Sequence, residues 1–318
     1  MDEEILLSDL EGEEGTTTNA NEEDDKVQAQ PLTKDSIKEG LSFLCRTGDR
    51  LGHAFIKLNL QHKKLNDIAA ISGYIHIRLL DLSNNYLNDL SPLASLKHLL
   101  WLKVDKNDVV SFQGQPFAEL IYLQRLSMAA NQLNDVNGLV GPALESLNLT
   151  GNNVQQLHSF QTGCFGSLLS LELRGNRLET TDGLNLPNLQ RLYLAENMIK
   201  HLEGLDKLES LTILHLRDNK LETLDGLSSN MKCLRYLNVR GNLITEGKAL
   251  QSIGLVAKSL QALVLSENPL VATSDYRFSV LTLLPHLKRL DKEPVSPEER
   301  SENQMRIREL EEEEAPEP

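Results

Sequence analysis

Apolar and polar residues alternate in short bursts along most of this chain, and the bursts recur at a near-constant distance. Leu192 and Leu194, Leu214 and Leu216, and Leu237 and Val239 are apolar pairs separated by one residue, and an asparagine follows each pair three positions on. Alternation with a period of two predicts a short strand with one face buried. Nine asparagines hold the following position: Asn85, Asn107, Asn131, Asn152, Asn176, Asn197, Asn219, Asn242 and Asn268, at intervals of 21 to 26 residues. A repeat of this length predicts a stack of identical units, each too small to bury its own apolar face.

The full unit reads L-x-x-L-x-L-x-x-N-x-L, as in Leu211, Leu214, Leu216, Asn219 and Leu221. This is the leucine-rich-repeat pattern. The fold class predicted is an α/β leucine-rich-repeat solenoid: a curved parallel β-sheet on the concave side, short helices, 3-10 turns and loops on the convex side, a helical N-terminal cap and a C-terminal cap. The asparagine marks the place where the chain turns out of the strand. A turn buried there leaves backbone donors and acceptors that a side-chain amide can satisfy, so the nine asparagines are expected to form an internal structural ladder. Later apolar positions such as Leu178, Leu202 and Leu224 close the convex side, next to glycine turns at Asp182-Gly183-Leu184, Glu203-Gly204-Leu205 and Asp225-Gly226-Leu227.

Charge divides the chain further. The formal net charge is −14 over 318 residues, but residues 1–30 carry net −10 and residues 293–318 net −7, which leaves 31–292 near +3. Residues 1–30, acidic and poor in large apolar side chains, are expected to form a disordered tail. In 31–54, Ile37, Leu41 and Leu44 recur at i, i+4 and i+7, which predicts one amphipathic helix capping the solenoid. The solenoid with its C-terminal cap spans 55–292. It starts with a degenerate repeat in which Lys63 replaces the asparagine, and it ends with a closing unit of Tyr276, Leu281, Leu284, Leu287 and Leu290. In the 293–318 tail, acidic and helical or disordered, Ser296-Pro297-Glu298-Glu299 is a capping box that predicts a helix to about Glu313.

The strand register also assigns the outward-facing side chains. Trp101, the only tryptophan, is expected on the concave surface with Lys103 and Arg125, and in later repeats Arg174, Arg191, Arg217 and Arg240 interleave with Tyr193, His215 and Tyr236. A basic and aromatic surface of this kind suits a partner protein; a phosphate backbone and the chain's own acidic tail are the alternatives. The acidic tails argue against nucleic acid. No run of apolar residues reaches the length of a membrane span, no secretory signal opens the sequence, and the three cysteines are widely separated, which together predict an intracellular protein off the membrane. The eight histidines show no metal-ligand spacing, and no phosphate-binding loop or nucleophile elbow occurs, so neither enzyme activity, a metal, a cofactor nor a small-molecule substrate is expected.

Several strings carry a closer likeness: Lys38-Glu39-Gly40-Leu41-Ser42, Leu90-Ser91-Pro92-Leu93, His98-Leu99-Leu100-Trp101-Leu102-Lys103, Leu214-His215-Leu216-Arg217-Asp218-Asn219 and Arg289-Leu290-Asp291-Lys292-Glu293. Through them, residues 31 to about 300 resemble the radial spoke leucine-rich-repeat protein family. That resemblance implies a scaffold of the radial spoke in motile cilia and sperm flagella, needed for spoke assembly and motility, with spoke-head and axonemal proteins as partners and the cytoskeleton of the axoneme as its location. The same repeat subclass implies a second reading, a regulatory subunit of a protein phosphatase acting through the concave face. A third, an acidic histone or nucleic-acid chaperone, is weakened by the shortness of the acidic run at Glu311 to Glu314.

Overall fold

The computed structural model describes residues 29–48, 51–160, 162–245, 247–273 and 275–313. The expected disordered tail of residues 1–30 lies, but for its last two residues, outside the described residues, as does the end of the C-terminal tail. In chain order the strands are β1 (Gln30–Pro31), β2 (Leu41–Arg46), β3 (His53–Asn59), β4 (Leu65–Asp67), β5 (Leu79–Asp81), β6 (Trp101–Lys103), β7 (Arg125–Ser127), β8 (Ser146–Asn148), β9 (Ser170–Glu172), β10 (Arg191–Tyr193), β11 (Ile213–His215), β12 (Tyr236–Asn238), β13 (Ala262–Val264), β14 (Arg289–Leu290) and β15 (Glu293–Pro294). A single sheet takes in all of these but β1 and β4, which pair with each other. From β3 to β14 its neighbours are parallel, and an antiparallel hairpin closes each end, β2 with β3 and β14 with β15.

Register follows the leucines. Leu58, Leu80, Leu102, Leu126, Leu147, Leu171, Leu192, Leu214, Leu237, Leu263 and Leu290 pair strand to strand in one buried row. The return paths are mostly 3-10 turns, such as Ser91–Ser95, Leu205–Lys207 and Gly247–Val256. A repeat of about 22 residues leaves too little chain outside the strand for a regular helix, and 3-10 turns serve in short pieces.

The asparagines bind each repeat to the one before it. Asn219 Nδ2 donates to the Leu216 carbonyl at 3.0 Å and to the Leu194 carbonyl of the preceding repeat at 2.9 Å, while its Oδ1 accepts the Ile199 N–H at 3.0 Å. Asn107, Asn131, Asn152, Asn176, Asn197, Asn242 and Asn268 repeat this arrangement. All are buried. The residue just before each asparagine is left-handed, including the non-glycine residues Lys106, Ala130, Glu196 and Asp218 with φ between 52° and 55°. Such backbone is uphill for an L-residue, and the bonds of the ladder hold it there.

The N-terminal end departs from the sequence reading. The predicted helix over 31–54 is instead a seven-residue helix, α1 (Lys34–Gly40), capped by Thr33 and followed by the hairpin of β2 and β3. Ile37 is fully buried, but Leu44 is 58% exposed, so the apolar spacing held for one turn only. At Gly40 the chain passes so close to the Asn59 carbonyl that a Cβ would lie 2.2 Å from the oxygen, and glycine also weakens the helix. A strand along the open edge of the sheet then satisfies backbone groups of β3 that a helix would leave unpaired.

Between the repeats lies the short helix α2 (Thr162–Phe165), and the C-terminal cap is helix α3 (Tyr276–Leu283) with the β14–β15 hairpin. Asp291 closes the last turn: its Oδ1 accepts the N–H groups of Leu265 and Ser266, both at 2.7 Å, and its other oxygen accepts from the Tyr276 hydroxyl. Helix α4 (Pro297–Glu313) starts at the capping box, with the Ser296 hydroxyl accepting the Glu299 N–H. It lies against α3 through polar contacts. Arg277 forms a two-point pair with Glu299, and Arg306 pairs with Asp275 at 2.9 Å while its guanidinium lies 4.1 Å from the Phe278 ring centre.

Two stability predictions follow from the ladder and its turns. Asn219→Ala leaves the buried Ile199 N–H without its partner, while the Leu194 and Leu216 carbonyls each keep a second amide donor, from Asn197 and Asn242, and at about 1–3 kcal/mol for a buried unsatisfied group it is expected to cost about 1–3 kcal/mol in urea unfolding. A loss below about 1 kcal/mol would mean that water replaces the amide. Gly175→Ala, at φ 64° with nothing nearer than 3.7 Å, is expected to cost about 1–2 kcal/mol through backbone strain alone. Gly226→Ala is expected to be far worse, because its Cβ would sit 1.7 Å from the Leu202 oxygen; equal melting temperatures for the two variants would refute that ranking.

Candidate protein-binding concave face

Side chains on the concave face come from the first and third residues of each strand and from the residue two beyond. Trp101 and Arg125 face each other across β6 and β7, with Lys103 on the same strand as Trp101. Trp101 and Lys103 are partly exposed and Arg125 is exposed. Lys103 lies 3.4 Å from Asp105, whose other oxygen accepts from the Ser127 hydroxyl and the Ala129 N–H. The ring of Trp101 thus lies on a partly exposed surface beside Lys103 and Arg125.

The second half of the face is different. Tyr193, His215 and Tyr236 stack across β10, β11 and β12 with ring centres 5.0 Å and 4.9 Å apart, each pair tilted by 33°. Sequence reasoning placed His215 and Tyr236 among exposed binding residues. The structure corrects this: His215 is 6% exposed and Tyr236 is 0% exposed. Tyr236 belongs to an apolar cluster on the concave side, where Ile213, Tyr236, Ala262 and Val264 are buried and Tyr193 packs at the margin, and the His215 ring lies between the two tyrosines. The sequence signal was present in the apolar character of Ile213, Ala262 and Val264, which break the polar occupancy of outward strand positions.

The arginines are partly buried and engaged. Arg174 pairs with Glu196 at 2.6 Å, Arg240 with Glu267, and Arg217 with the adjacent Asp218 at 2.9 Å; Arg191 lies at the start of β10, partly exposed. The acids come from the left-handed position before an asparagine, for Arg174 and Arg240 one repeat on, a pairing that the spacing of the repeats could have revealed. The hydrogen bond from Arg174 holds the Glu196 carboxyl below its ordinary range, and Arg240 does the same for Glu267. Burial, reinforced by the charge of Arg217, pushes His215 down to about 4. His215 is therefore neutral at pH 7.

Among the described residues no group of three or more His, Cys, Asp or Glu is placed to hold a metal, and no helix is long and apolar enough to cross a membrane. What the surface offers is contact: one tryptophan with cations in its first half, and a buried apolar strip edged with arginines in its second.

Comparison with known proteins fits this architecture. A family model described as leucine-rich repeat matches residues 167–316. Leucine-rich repeat-containing protein 23 of Homo sapiens is 45% identical over 288 residues, spanning 91% of this chain and 83% of that protein. The protein of the same name from Xenopus tropicalis is 43% identical over 272 residues, spanning 86% of this chain and 77% of that protein. Among solved structures, the leucine-rich repeat domain of APL1B matches with a TM-score of 0.57 at 21% identity, covering 74% of this chain and 67% of that one. An internalin from Listeria monocytogenes matches with a TM-score of 0.51 at 20% identity, covering 73% and 79%. At these identities the structural likeness shows the fold alone.

His215 generates a pH prediction. Its folded pKa lies below the ordinary value of 6.5, so the folded state resists protonation and the unfolded state takes the proton. Stability is complete above about pH 6.5 and falls as pH drops towards 4, by on the order of 3 kcal/mol from this residue. His215→Gln is expected to flatten that part of the stability curve. Parallel curves for variant and parent between pH 7 and pH 4 would assign the acid loss to the carboxylates instead.

Proposed function

The chain belongs to the leucine-rich repeat-containing protein 23 family, and on that premise we propose that it is a non-catalytic scaffold of the radial spoke, holding spoke-head and other axonemal proteins in place in motile cilia and sperm flagella. The coarser part of this reading, a leucine-rich-repeat protein with a surface for other proteins, follows from the fold and the family. Its finer part draws on the likeness of residues 31 to about 300 to radial spoke leucine-rich-repeat proteins. The observation that carries it is the shape of the surface: one continuous sheet, parallel from β3 to β14 with the asparagine ladder behind it, presents side chains over many strands.

A scaffold works through area and fixed spacing. The repeats set the spacing, because each strand is bound to its neighbours along the whole sheet. Trp101, Lys103 and Arg125 are the partner-facing group in this proposal, since an aromatic anchor ringed by cations is the usual centre of a protein contact. Assembly of the spoke and flagellar motility depend, in this reading, on that contact, and the protein resides in the axonemal cytoskeleton.

The test is proximity labelling with the full chain in ciliated or spermatogenic cells. Enrichment of radial-spoke and axonemal proteins is expected; enrichment of a phosphatase catalytic subunit or of nuclear proteins without them would sink the spoke reading. A Trp101→Ala/Arg125→Ala double variant is expected to keep the parent's stability to within about 1 kcal/mol, each surface change being worth about 0.5, while labelling of the direct partner drops about tenfold or more, as for hot-spot truncation. Unchanged labelling would move the contact to another face.

A further inference from the structure

Successive repeats of a solenoid are related by nearly one rotation, so a change in how far equivalent concave positions meet solvent marks a change in what surrounds them. Such a change occurs here. The outward residues of β6, β7 and β8 are all partly or fully exposed, whereas both outward residues of each of β11, β12 and β13 are buried. Within that zone the floor is apolar, made of Ile213, Tyr236, Ala262 and Val264, and its border carries Arg191, Arg217 and Arg240.

The chain contains a segment of matching pattern. Among its first 28 residues the large aliphatic side chains Ile5, Leu6, Leu7 and Leu10 cluster among Glu3, Glu4, Asp9 and Glu11. An apolar core flanked by acids is the complement of an apolar floor flanked by arginines. Reach permits the contact. About 19 residues separate Leu10 from the first described residue, and at about 3.3 Å per residue they extend roughly 60 Å. Strands about 4.8 Å apart place β12 roughly 40 Å from β3.

We propose that residues 2–11 are the intramolecular occupant of the concave groove over β11–β13, with Ile5, Leu6 and Leu7 on the apolar floor and the flanking acids towards the arginines. The chain then uses its concave face in two parts: the Trp101 half faces a partner, and the Tyr236 half is covered from within. A partner carrying its own acidic and aliphatic segment gains the second half only by displacing the first. This does not rest on the spoke reading; it holds or fails on the chain alone.

The test uses the full chain and a full-chain Leu6→Asp/Leu7→Asp variant, whose changes lie outside the repeats. A labelled synthetic peptide of residues 1–28 is offered to both, and a glutamate-specific protease is used to time cleavage after Glu11. Docking of two leucines predicts that the variant captures the peptide at least about tenfold more tightly than the parent and that its own Glu11 is cut at least about tenfold faster. Equal peptide capture by both chains, or equal cleavage rates, would overturn the proposal. So would protection of Glu11 that appears only as the parent is concentrated, because the occupant would then be the segment of a second copy.

Discussion

A polypeptide that turns through its own core must find partners for the backbone groups it takes there, and this molecule solves that problem with a primary amide. Asparagine alone among short side chains offers two donors and an acceptor in one plane. In Asn107 through Asn268 the donors reach carbonyls of two successive repeats and the acceptor takes an N–H of the earlier one. The side chain is therefore a bond between repeats as much as within one. Strand register, the left-handed residue before each asparagine and the close stacking of leucines all depend on it. The ladder also shows how the array stops. At the start, Asn85 accepts from the N–H groups of Lys63 and Leu65, so the degenerate repeat contributes backbone where its successors contribute an amide. At the end, Asp291 accepts two N–H groups and a tyrosine hydroxyl, and as a carboxylate it has nothing to donate onward. An acceptor-only side chain is a natural terminus for a chain of donors.

How much of this was legible in the sequence depends on whether the cause was local or lay in a neighbouring repeat. The strands, the ladder positions and the start of α4 at Ser296 rest on spacing within about ten residues, and they are where spacing put them. The N-terminal hairpin was not legible from Ile37, Leu41 and Leu44, because what decides it is the approach of Gly40 to Asn59 and the unpaired edge of β3, both products of the assembled sheet. The burial of His215 and Tyr236 was missed for a related reason. Alternation says which side of a strand a residue occupies; it does not say whether that side stays open. Ile213, Ala262 and Val264 in the adjoining strands supplied the clue, but it is read across repeats rather than along one.

The arginines teach the same lesson about charge. Counted along the chain, Arg174, Arg217 and Arg240 form a basic patch. In space they stand next to Glu196, Asp218 and Glu267, and the carboxyl groups of Glu196 and Glu267 are held charged by them. Exposed pairs of this kind add little stability. Their effect is on shape, since a paired guanidinium is held in one place and can meet a further acidic group without first losing its own freedom.

The hairpins that close the solenoid and the helix that follows its C-terminal end are held by different physics, and that difference bears on use as a scaffold. The N-terminal end is joined by backbone bonds of the β2–β3 hairpin, which are insensitive to salt and to mild acid. Helix α4 is joined to α3 mainly by charge: Arg277 with Glu299, Arg306 with Asp275, and Arg306 over Phe278. The bond from Arg277 holds Glu299 below the ordinary carboxyl range, so the pair remains charged on mild acidification and is lost only as pH falls through that lowered value. Added salt acts sooner, by screening. A structure whose sheet is closed by a hairpin at each end, and whose last helix is held by ion pairs, has a fixed spine and one releasable arm.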